Sequence, residues 1–281
     1  MSGEGGGARR AGLLVLLPLA FLALLFLYPV GTLIAQSFTG AGAPFGNYQR
    51  LVSTPLYVQV LQRTLWLSLG TTAICALLGY PVAYRLAHAS PRGKAVLLVF
   101  ILLPFWTNLL VRTYGWMVLL NPKGVINQAL VWLGWVSAPV PLVYNSFGVL
   151  VGMVQIMLPY MILPIAAVMA QVDPQLRSAA RSLGAGPFAS FAFVYFPMTL
   201  PGVMAGVLLV FTVSLGFFVV PAVLGGPKDL VLAQLIEFNI NTSLNWGLAG
   251  ALSTVLLAVT VAIFAASQRW LGMAALWGGA R

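Results

Sequence analysis

Histidine, cysteine and acidic side chains, which bind metals and serve most often in acid–base catalysis, are few in this chain, and they do not cluster. One histidine (His88), one cysteine (Cys75) and four acids are the whole set in 281 residues. His88 has no Cys, Asp or Glu near it in sequence, and Cys75 has no second cysteine to pair with. Metal sites, acid–base catalysis and disulfides need such groups in combination. We therefore predict no catalytic centre, and we expect His88 to lie at a membrane interface, where its apolar run ends.

A different kind of spacing lies between Ala170 and Pro197, in the segment AQVDPQLRSAARSLGAGPFASFAFVYFP. Asp173 can cap a helix that begins at Pro174, because the first helical position does not need the N–H that proline lacks. Gly184 suits the left-handed position just after the end of that helix. The chain can turn again at Gly186 and start a second short helix at Pro187. The segment therefore predicts two short helices joined by a tight turn, with phenylalanines that meet the membrane or the second helix: Phe188, Phe191 and Phe193.

The first of these helices has the character of a docking element. One of its faces consists of small residues, Ser178, Ala179 and Ser182, so another protein surface can approach its backbone closely. Arg177 and Arg181 lie one turn apart, and like charges at that spacing destabilise an isolated helix slightly. Asp173 precedes Arg177 by four residues in the favourable order, but no acid lies between the two arginines, and both need an external partner or lipid headgroups.

Arg112 is the one ionisable side chain inside a long apolar run. Charged groups at membrane depth are costly and often mark a transport pathway, so Arg112 is a candidate to contact an anion or to shape a gate. The alternative is that it snorkels or is paired within its helix. Further candidates for the pathway are aromatic side chains that can face a cation and an acid of the last loop. They are Trp116, Phe217, Phe218 and Glu237; Asp229 and Glu237 could equally bond to another protein.

Composition identifies the solvent around these residues. The chain is 60% hydrophobic and 6% charged, with a mean hydropathy of +0.98, whereas a soluble domain is typically about one quarter charged. Its net charge of +10 comes from basic residues scattered singly or in pairs between apolar runs. That arrangement is typical of membrane anchors rather than of a nucleic-acid patch. We therefore expect a lipid bilayer, and no nucleic acid, around the chain.

Six apolar stretches are long enough for transmembrane helices, which need roughly 20 residues each. We predict spans over residues 13–34, 65–84, 95–120, 144–170, 198–224 and 248–266. With the N-terminus inside, alternate sides receive nine and four Lys or Arg, and Arg112 is left unassigned. Positive charge accumulates on the cytoplasmic side, so we expect both termini to be cytoplasmic. External loops are then predicted over residues 36–63, 121–143 and 225–247.

The inside segment resembles the EAA loop of ABC importer permeases, whose pattern is E-A-A, three residues, G, nine residues, I-x-L-P. Ala179, Ala180, Gly184 and Pro197 stand at matching positions, with Val194 for the Ile. Ser178 replaces the Glu and Phe196 replaces the Leu, so a contact made through that Glu is not expected here. Further segments are similar to permeases of the spermidine/putrescine transporter group: LLPFWTNLLVRTYGWMVLL, GVINQAL, LPYMILPIAAVMAQVDP, PMTLPGV and FFVVPAVLGG.

This resemblance implies an all-α permease of the type I ABC importer fold, with six transmembrane helices and a coupling loop between the fourth and fifth. It implies one permease domain over residues 1–281, with the loop at residues 171–197, in a bacterial inner membrane. The expected partners are a cytoplasmic ABC ATPase dimer, a second permease and an external solute-binding protein. The expected ATPase contacts are Asp173, Arg177, Ser178, Ala179, Ala180, Arg181 and Gly184.

The expected solute is a polyamine, with iron, sulfate, molybdate or another small solute as alternatives within the same family. ATP and Mg²⁺ are expected in the partner ATPase and no cofactor in this chain, because the sequence contains no G-x-x-x-x-G-K-[ST] phosphate loop. A secondary carrier is the other class considered. It would show paired interrupted helices and often an acid or histidine inside the membrane, and the sequence shows neither pattern.

Overall fold

The computed structural model describes the backbone of residues 5–39 and 42–278, and the side chains of Leu16 and of residues 18–39, 42–176 and 178–267. All regular elements within these residues are helical. In chain order they are α1 (Gly5–Ser37), α2 (Gly46–Ser53), α3 (Pro55–His88), α4 (Pro91–Leu102), α5 (Leu109–Leu120), α6 (Val125–Trp132), α7 (Ser146–Met169), α8 (Pro174–Ser182), α9 (Pro187–Ser190), α10 (Phe196–Leu215), α11 (Val219–Leu224), α12 (Leu232–Asn241) and α13 (Trp246–Gly278). A 3-10 turn (Leu103–Trp106) precedes α5, and a π-helical turn (Phe191–Tyr195) precedes α10.

Five helical stretches are long and apolar enough to cross a membrane, and a sixth span results if one bent pair counts as a single crossing. The five are Pro18–Ser37, Pro55–His88, Ser146–Met169, Pro187–Leu215 and Trp246–Ser267. The bent pair joins Pro91–Trp106 to Leu109–Trp132 at an angle of 98°. The prediction of an all-α membrane protein is confirmed, and the predicted count of six spans is reached when the bent pair counts as one span.

Two predicted spans differ from the structure because they are broken. The third, expected to run without interruption over residues 95–120, is interrupted at Thr107 and Asn108. The fifth, expected to continue to Leu224, ends at Leu215, and α11 follows as a separate helix after Gly216. Hydropathy measures how apolar a segment is and not the direction of its backbone. A helix break inside an apolar run is therefore not visible in the hydropathy of the sequence.

The loops also contain more helix than the sequence predicts. The first loop, expected over residues 36–63, ends early because α3 begins at Pro55, so Arg63 is part of that helix. Short helices α6 and α12 lie within the other two predicted external loops. Proline at the first helical position and a capping side chain explain several helix starts. Ser90 accepts a hydrogen bond from Gly93 N–H at the start of α4, and Asn145 accepts one from Gly148 N–H at the start of α7.

The chain divides into two compact units, and the smaller one consists of residues Met1–Tyr57 and Leu235–Leu257. Within it, Asn47 Nδ2 donates hydrogen bonds to the carbonyl oxygens of Ser37 (2.9 Å) and Thr39 (2.8 Å), which ties α2 to the end of α1. A Cβ on Gly250 would lie 2.5 Å from the carbonyl oxygen of Leu33. Glycine therefore permits the close approach of α13 to α1.

The larger unit consists of Val58–Gln234 and Ala258–Arg281, and α7 is its central helix. Gly202 and Gly206 lie one turn apart on α10 in a small-xxx-small pattern, which lets membrane helices approach closely. A Cβ on Gly206 would lie 2.7 Å from Sδ of Met161 on α7. Helix α3 also packs against α7, and its fully buried Cys75 lies with Sγ 3.7 Å from the carbonyl oxygen of Val154. The core of this unit is thus formed by α3, α7 and α10, which pack against one another.

Candidate functional site

Helix α8 begins as its sequence predicts. Asp173 adopts an extended backbone, and its carboxylate accepts a hydrogen bond of 2.8 Å from the N–H of Gln175. Pro174 occupies the first helical position. The predicted cap is therefore confirmed, and the carboxylate of Asp173 is used to cap α8.

The end of α8 is a tight glycine turn. Gly184 has a φ of +92°, in the left-handed region that favours glycine. Its N–H donates to the carbonyl oxygen of Arg181 (3.0 Å), and the N–H of Ala185 donates to that of Ala180 (3.0 Å). This pair of bonds is the Schellman arrangement, which satisfies the last carbonyls of a helix. The left-handed glycine predicted at this position is confirmed.

The face of α8 between these ends is open. Ser178, Ala179 and Arg181 are exposed, and Ala180 is half-buried. Ser182 Oγ donates to the carbonyl oxygen of Ser178 (3.1 Å), so this hydroxyl bonds to the helix itself. Leu183, at the end of the helix, is 89% exposed. The side chain of Arg177 lies outside the described residues. The helix thus presents a smooth backbone surface with an apolar side chain at its end.

The segment after α8 connects it to α3 through aromatic rings. Helix α9 begins at Pro187, as predicted, and the π-helical turn follows it. Phe191 and Tyr195 of this turn stack with ring centroids 5.8 Å apart. They contact rings on α3 at centroid distances of 5.6–6.3 Å. We call this the aromatic cluster: Tyr80, Tyr84, His88, Phe191, Tyr195 and Phe196.

The phenylalanines of this segment separate into two groups. Phe188 and Phe193 are each 80% exposed, as expected for side chains that meet the membrane. Phe191 instead packs inward against the core of the larger unit. His88 is exposed, and its Nδ1 lies 2.9 Å from the carbonyl oxygen of Tyr84.

The residues predicted to line a pathway fall in three places. Arg112 and Trp116 lie one turn apart on α5, and both are half-buried. Phe217 and Phe218 lie in the break between α10 and α11. Glu237 is on α12, in the smaller unit, where it is exposed and accepts a hydrogen bond from Asn241 Nδ2 (3.1 Å). The first two groups each adjoin a break in a span.

Sequence reasoning did not identify a charged network in the larger unit. Asp229 is 5% exposed and accepts hydrogen bonds from Arg63 (3.3 Å), Ser146 and the N–H of Gly226 (3.1 Å). We call this group the Asp229 network. Asp229 and Arg63 are 166 positions apart in sequence, and no local pattern relates them. The Gly202 and Gly206 contact was also not predicted, although its four-residue spacing is a detectable signal.

A comparison with known protein families identifies the family of this chain. Residues 77–273 match the model of the binding-protein-dependent transport system inner membrane component family, a range that includes α8, the glycine turn and both breaks. The chain belongs to this permease family.

Relatives of this permease support the same assignment. The chain is 40% identical over 221 residues to the spermidine/putrescine transport system permease protein PotB of Haemophilus influenzae, covering 78% of this chain and 77% of that one. It is 37% identical over 210 residues to PotB of Escherichia coli K12, with coverages of 75% and 76%. It is 28% identical to the inner membrane ABC transporter permease protein YdcU of the same strain, covering 92% of this chain and 89% of that one.

Solved structures share the fold of this permease. A chain of a bacterial alginate ABC transporter, crystallised with an alginate-bound periplasmic protein, matches with a TM-score of 0.70 at 19% identity, over 94% of this chain and 95% of that one. A second alginate importer structure matches with a TM-score of 0.69 at 20% identity, over 94% and 98%. The fold is thus that of type I ABC importer permeases. The two broken spans therefore occur in a chain of this permease family and do not indicate a secondary carrier.

Proposed function

We propose that this permease is the translocation subunit of an ATP-driven importer that carries polyamines such as spermidine and putrescine into the cytoplasm. The observation that supports it most is the build of α8. A capped, glycine-terminated helix with an exposed, smooth face is joined through the aromatic cluster to the long helix α3. Such an element can receive a push from another protein and pass it into the membrane helices.

The partner at α8 is proposed to be a cytoplasmic ABC ATPase dimer. Asp173 and Gly184 fix the two ends of the helix, and Ser178, Ala179 and Ala180 let the ATPase surface approach its backbone. Arg177 and Arg181 are proposed to meet acidic groups of the ATPase. Since Ser178 stands where the family pattern has Glu, backbone shape and the exposed Leu183 take a larger share of this contact. ATP and Mg²⁺ bind in the ATPase in this scheme.

A second permease and an external solute-binding protein complete the proposed assembly. The end of the larger unit that carries the Asp229 network lies opposite the end that carries α8, because both α3 and α7 run from one to the other. Arg63 and Tyr84 of α3 are separated by about 32 Å at 1.5 Å per residue, which is close to the thickness of a bilayer core. With α8 in the cytoplasm, the Asp229 network is proposed to face the outside. The larger number of Lys and Arg predicted on the α8 side of the membrane supports cytoplasmic termini.

The polyamine assignment rests on the names of the relatives and meets one constraint in the structure. A polycation needs carboxylates or aromatic faces. Within the described residues, Asp229 is buried in its network and Asp173 is a helix cap, which leaves Glu237 as the one exposed acid not used in either way. Carboxylates for the solute are therefore proposed to come mainly from the second permease and the binding protein. Iron, sulfate or molybdate remain the alternative solutes.

Reconstitution of the importer tests the proposal. The permease, its second permease, the ATPase and the binding protein are placed in proteoliposomes with ATP inside, and uptake of labelled spermidine is measured. We expect ATP-dependent uptake that excess putrescine reduces and that sulfate, molybdate and ferric chelates do not. The control is an ATPase variant that cannot hydrolyse ATP. Uptake by this chain alone, driven by an ion gradient, would contradict the proposal.

A further inference from the structure

Arg112 lies at membrane depth, beside the break in the third span. The 3-10 turn before the break brings the ring of Phe105 to within 5.1 Å of Tyr160, which is past the midpoint of α7. Near the other end of α5, Tyr144 Oη lies 3.8 Å from Sδ of Met117, close to where α7 begins. Helix α5 therefore covers the part of the membrane between these two levels, and its first turn, with Arg112, is the deeper end.

No acidic side chain lies beside the charge of Arg112 within the described residues. Its Nε atom is buried without a hydrogen-bond acceptor, and no ion pair or hydrogen bond involves the side chain. The helix dipole increases the cost, because Arg112 follows closely on Asn108, which caps the positive end of α5 with a hydrogen bond from Leu110 N–H (2.8 Å). A cation in this place needs an anion to offset its desolvation.

Each acid that the structure describes is already in use or in another place. Asp229 accepts from Arg63, Ser146 and Gly226 N–H, and Asp173 caps α8 at the far end of the larger unit. Glu237 accepts from Asn241 and belongs to the smaller unit. The anion for Arg112 therefore comes from outside this part of the chain.

The position of Arg112 favours a protein carboxylate over a lipid phosphate. The surrounding surface is apolar and open: Val111 and Val118 are exposed, and Trp106 is 90% exposed. Such a surface suits a neighbouring membrane helix. A free guanidinium beside the pathway would also repel a polycationic solute, and a carboxylate removes that repulsion.

We propose that Arg112 pairs with a carboxylate on a membrane helix of the second permease, across the interface of the two subunits. The inference rests on the proposed function, because it needs that second permease. The pairing would place the break in the third span at the interface between the subunits. A movement of the second permease would then shift the backbone of this chain at the break.

Photocrosslinking in the intact importer tests the pairing without altering Arg112. With p-benzoylphenylalanine in place of Val111, we expect irradiation to join this chain to the second permease. The same residue in place of Val52, which is exposed on α2 of the smaller unit, is the comparison site. Crosslinks from position 111 that reach only lipid would overturn the inference and leave the proposed function intact.

Charge exchange identifies the carboxylate. We expect Arg112→Glu to reduce co-purification of the second permease and spermidine uptake at least tenfold. Replacement of the paired acid on the second permease by Arg should restore both. Lys123→Met, which removes an exposed cation, is the matched control. If Arg112→Met behaves like Lys123→Met, the inference is wrong. If the unaltered chain binds no second permease, both the inference and the proposed function fail.

Discussion

Helix α3 is held to the larger unit at its two ends by different chemistry. At one end, Arg63 joins the Asp229 network through directional hydrogen bonds to a buried carboxylate. At the other end, Tyr80 and Tyr84 join the aromatic cluster, in which ring pairs are stacked, tilted or edge-on. A buried charge needs its partners in one arrangement, whereas ring contacts persist over several geometries. The network end is thus fixed, and the cluster end, next to α8, can adjust while it stays in contact.

Loss of the carboxylate at the network end should have the largest effect on stability. We expect Asp229→Ala to lower the free energy of unfolding by about 2 kcal/mol, because Arg63 and Ser146 lose an ionised acceptor. The partly exposed Arg63 can be hydrated, which keeps the loss from being larger. Thermal or denaturant unfolding in detergent measures it. Asp229→Asn keeps the shape of the side chain without its charge, so its free energy of unfolding should lie between those of the unaltered protein and Asp229→Ala. If Asp229→Ala unfolds with the same free energy as the unaltered protein, the network end is not fixed by charge.

A change in the glycine turn should disturb coupling more than stability. Gly184→Val places a β-branched residue at a φ of +92°, at a cost of roughly 1–2 kcal/mol, although no atom obstructs the new side chain. We expect stimulation of the ATPase by the permeases to fall at least tenfold. Gly184→Asn, which tolerates the left-handed region better, should retain more of it. Full stimulation in the valine variant would mean that α8 is not the docking helix.

The aromatic cluster should respond more mildly to loss of a ring. Phe191→Leu removes contacts with Tyr80, Tyr84 and Tyr195 and should cost about 1 kcal/mol. We expect ATP hydrolysis to continue while spermidine uptake per ATP falls, because α8 is less well connected to α3. Phe193→Leu, two residues away and exposed, is the matched control. If uptake per ATP is equal in the two variants, the aromatic cluster does not couple α8 to α3.

The smallest effect is expected from loss of a hydrogen bond between side chains of α3 and α10 in the aromatic cluster. Tyr80 Oη and Thr199 Oγ1 lie 3.1 Å apart. Side-chain hydrogen bonds between membrane helices average about 0.6 kcal/mol, so Tyr80→Phe should lower the free energy of unfolding by about that amount. A double-mutant cycle with Thr199→Val isolates the pair. A coupling energy several times larger would mean that the cluster end is held by directional bonding as well.

The part of the fold that could be predicted from sequence is the part set by neighbouring residues. The ends of α8 follow from Asp173, Pro174 and Gly184, whose effects act within one turn of helix, and the apolar runs indicate spans because a helix needs a minimum length to cross lipid. The Asp229 network depends on two residues 166 positions apart. The two breaks depend on backbone direction at Asn108 and Gly216, which local hydrophobicity does not encode. Pro104, which lies in the 3-10 turn, and Asn108, as a possible cap, were the available signals for the first break.

The burial of Cys75 makes this permease a convenient subject for spectroscopy. It is the only cysteine in the sequence, it is fully buried, and its thiol lies against the backbone of α7. Buried thiols of this kind react slowly with labelling reagents. Nitroxide or fluorescent labels can therefore be attached to new surface cysteines with the native residue left in place. Two label pairs, each joining one end of α3 to the nearby end of α7, would record which end shifts when nucleotide is added.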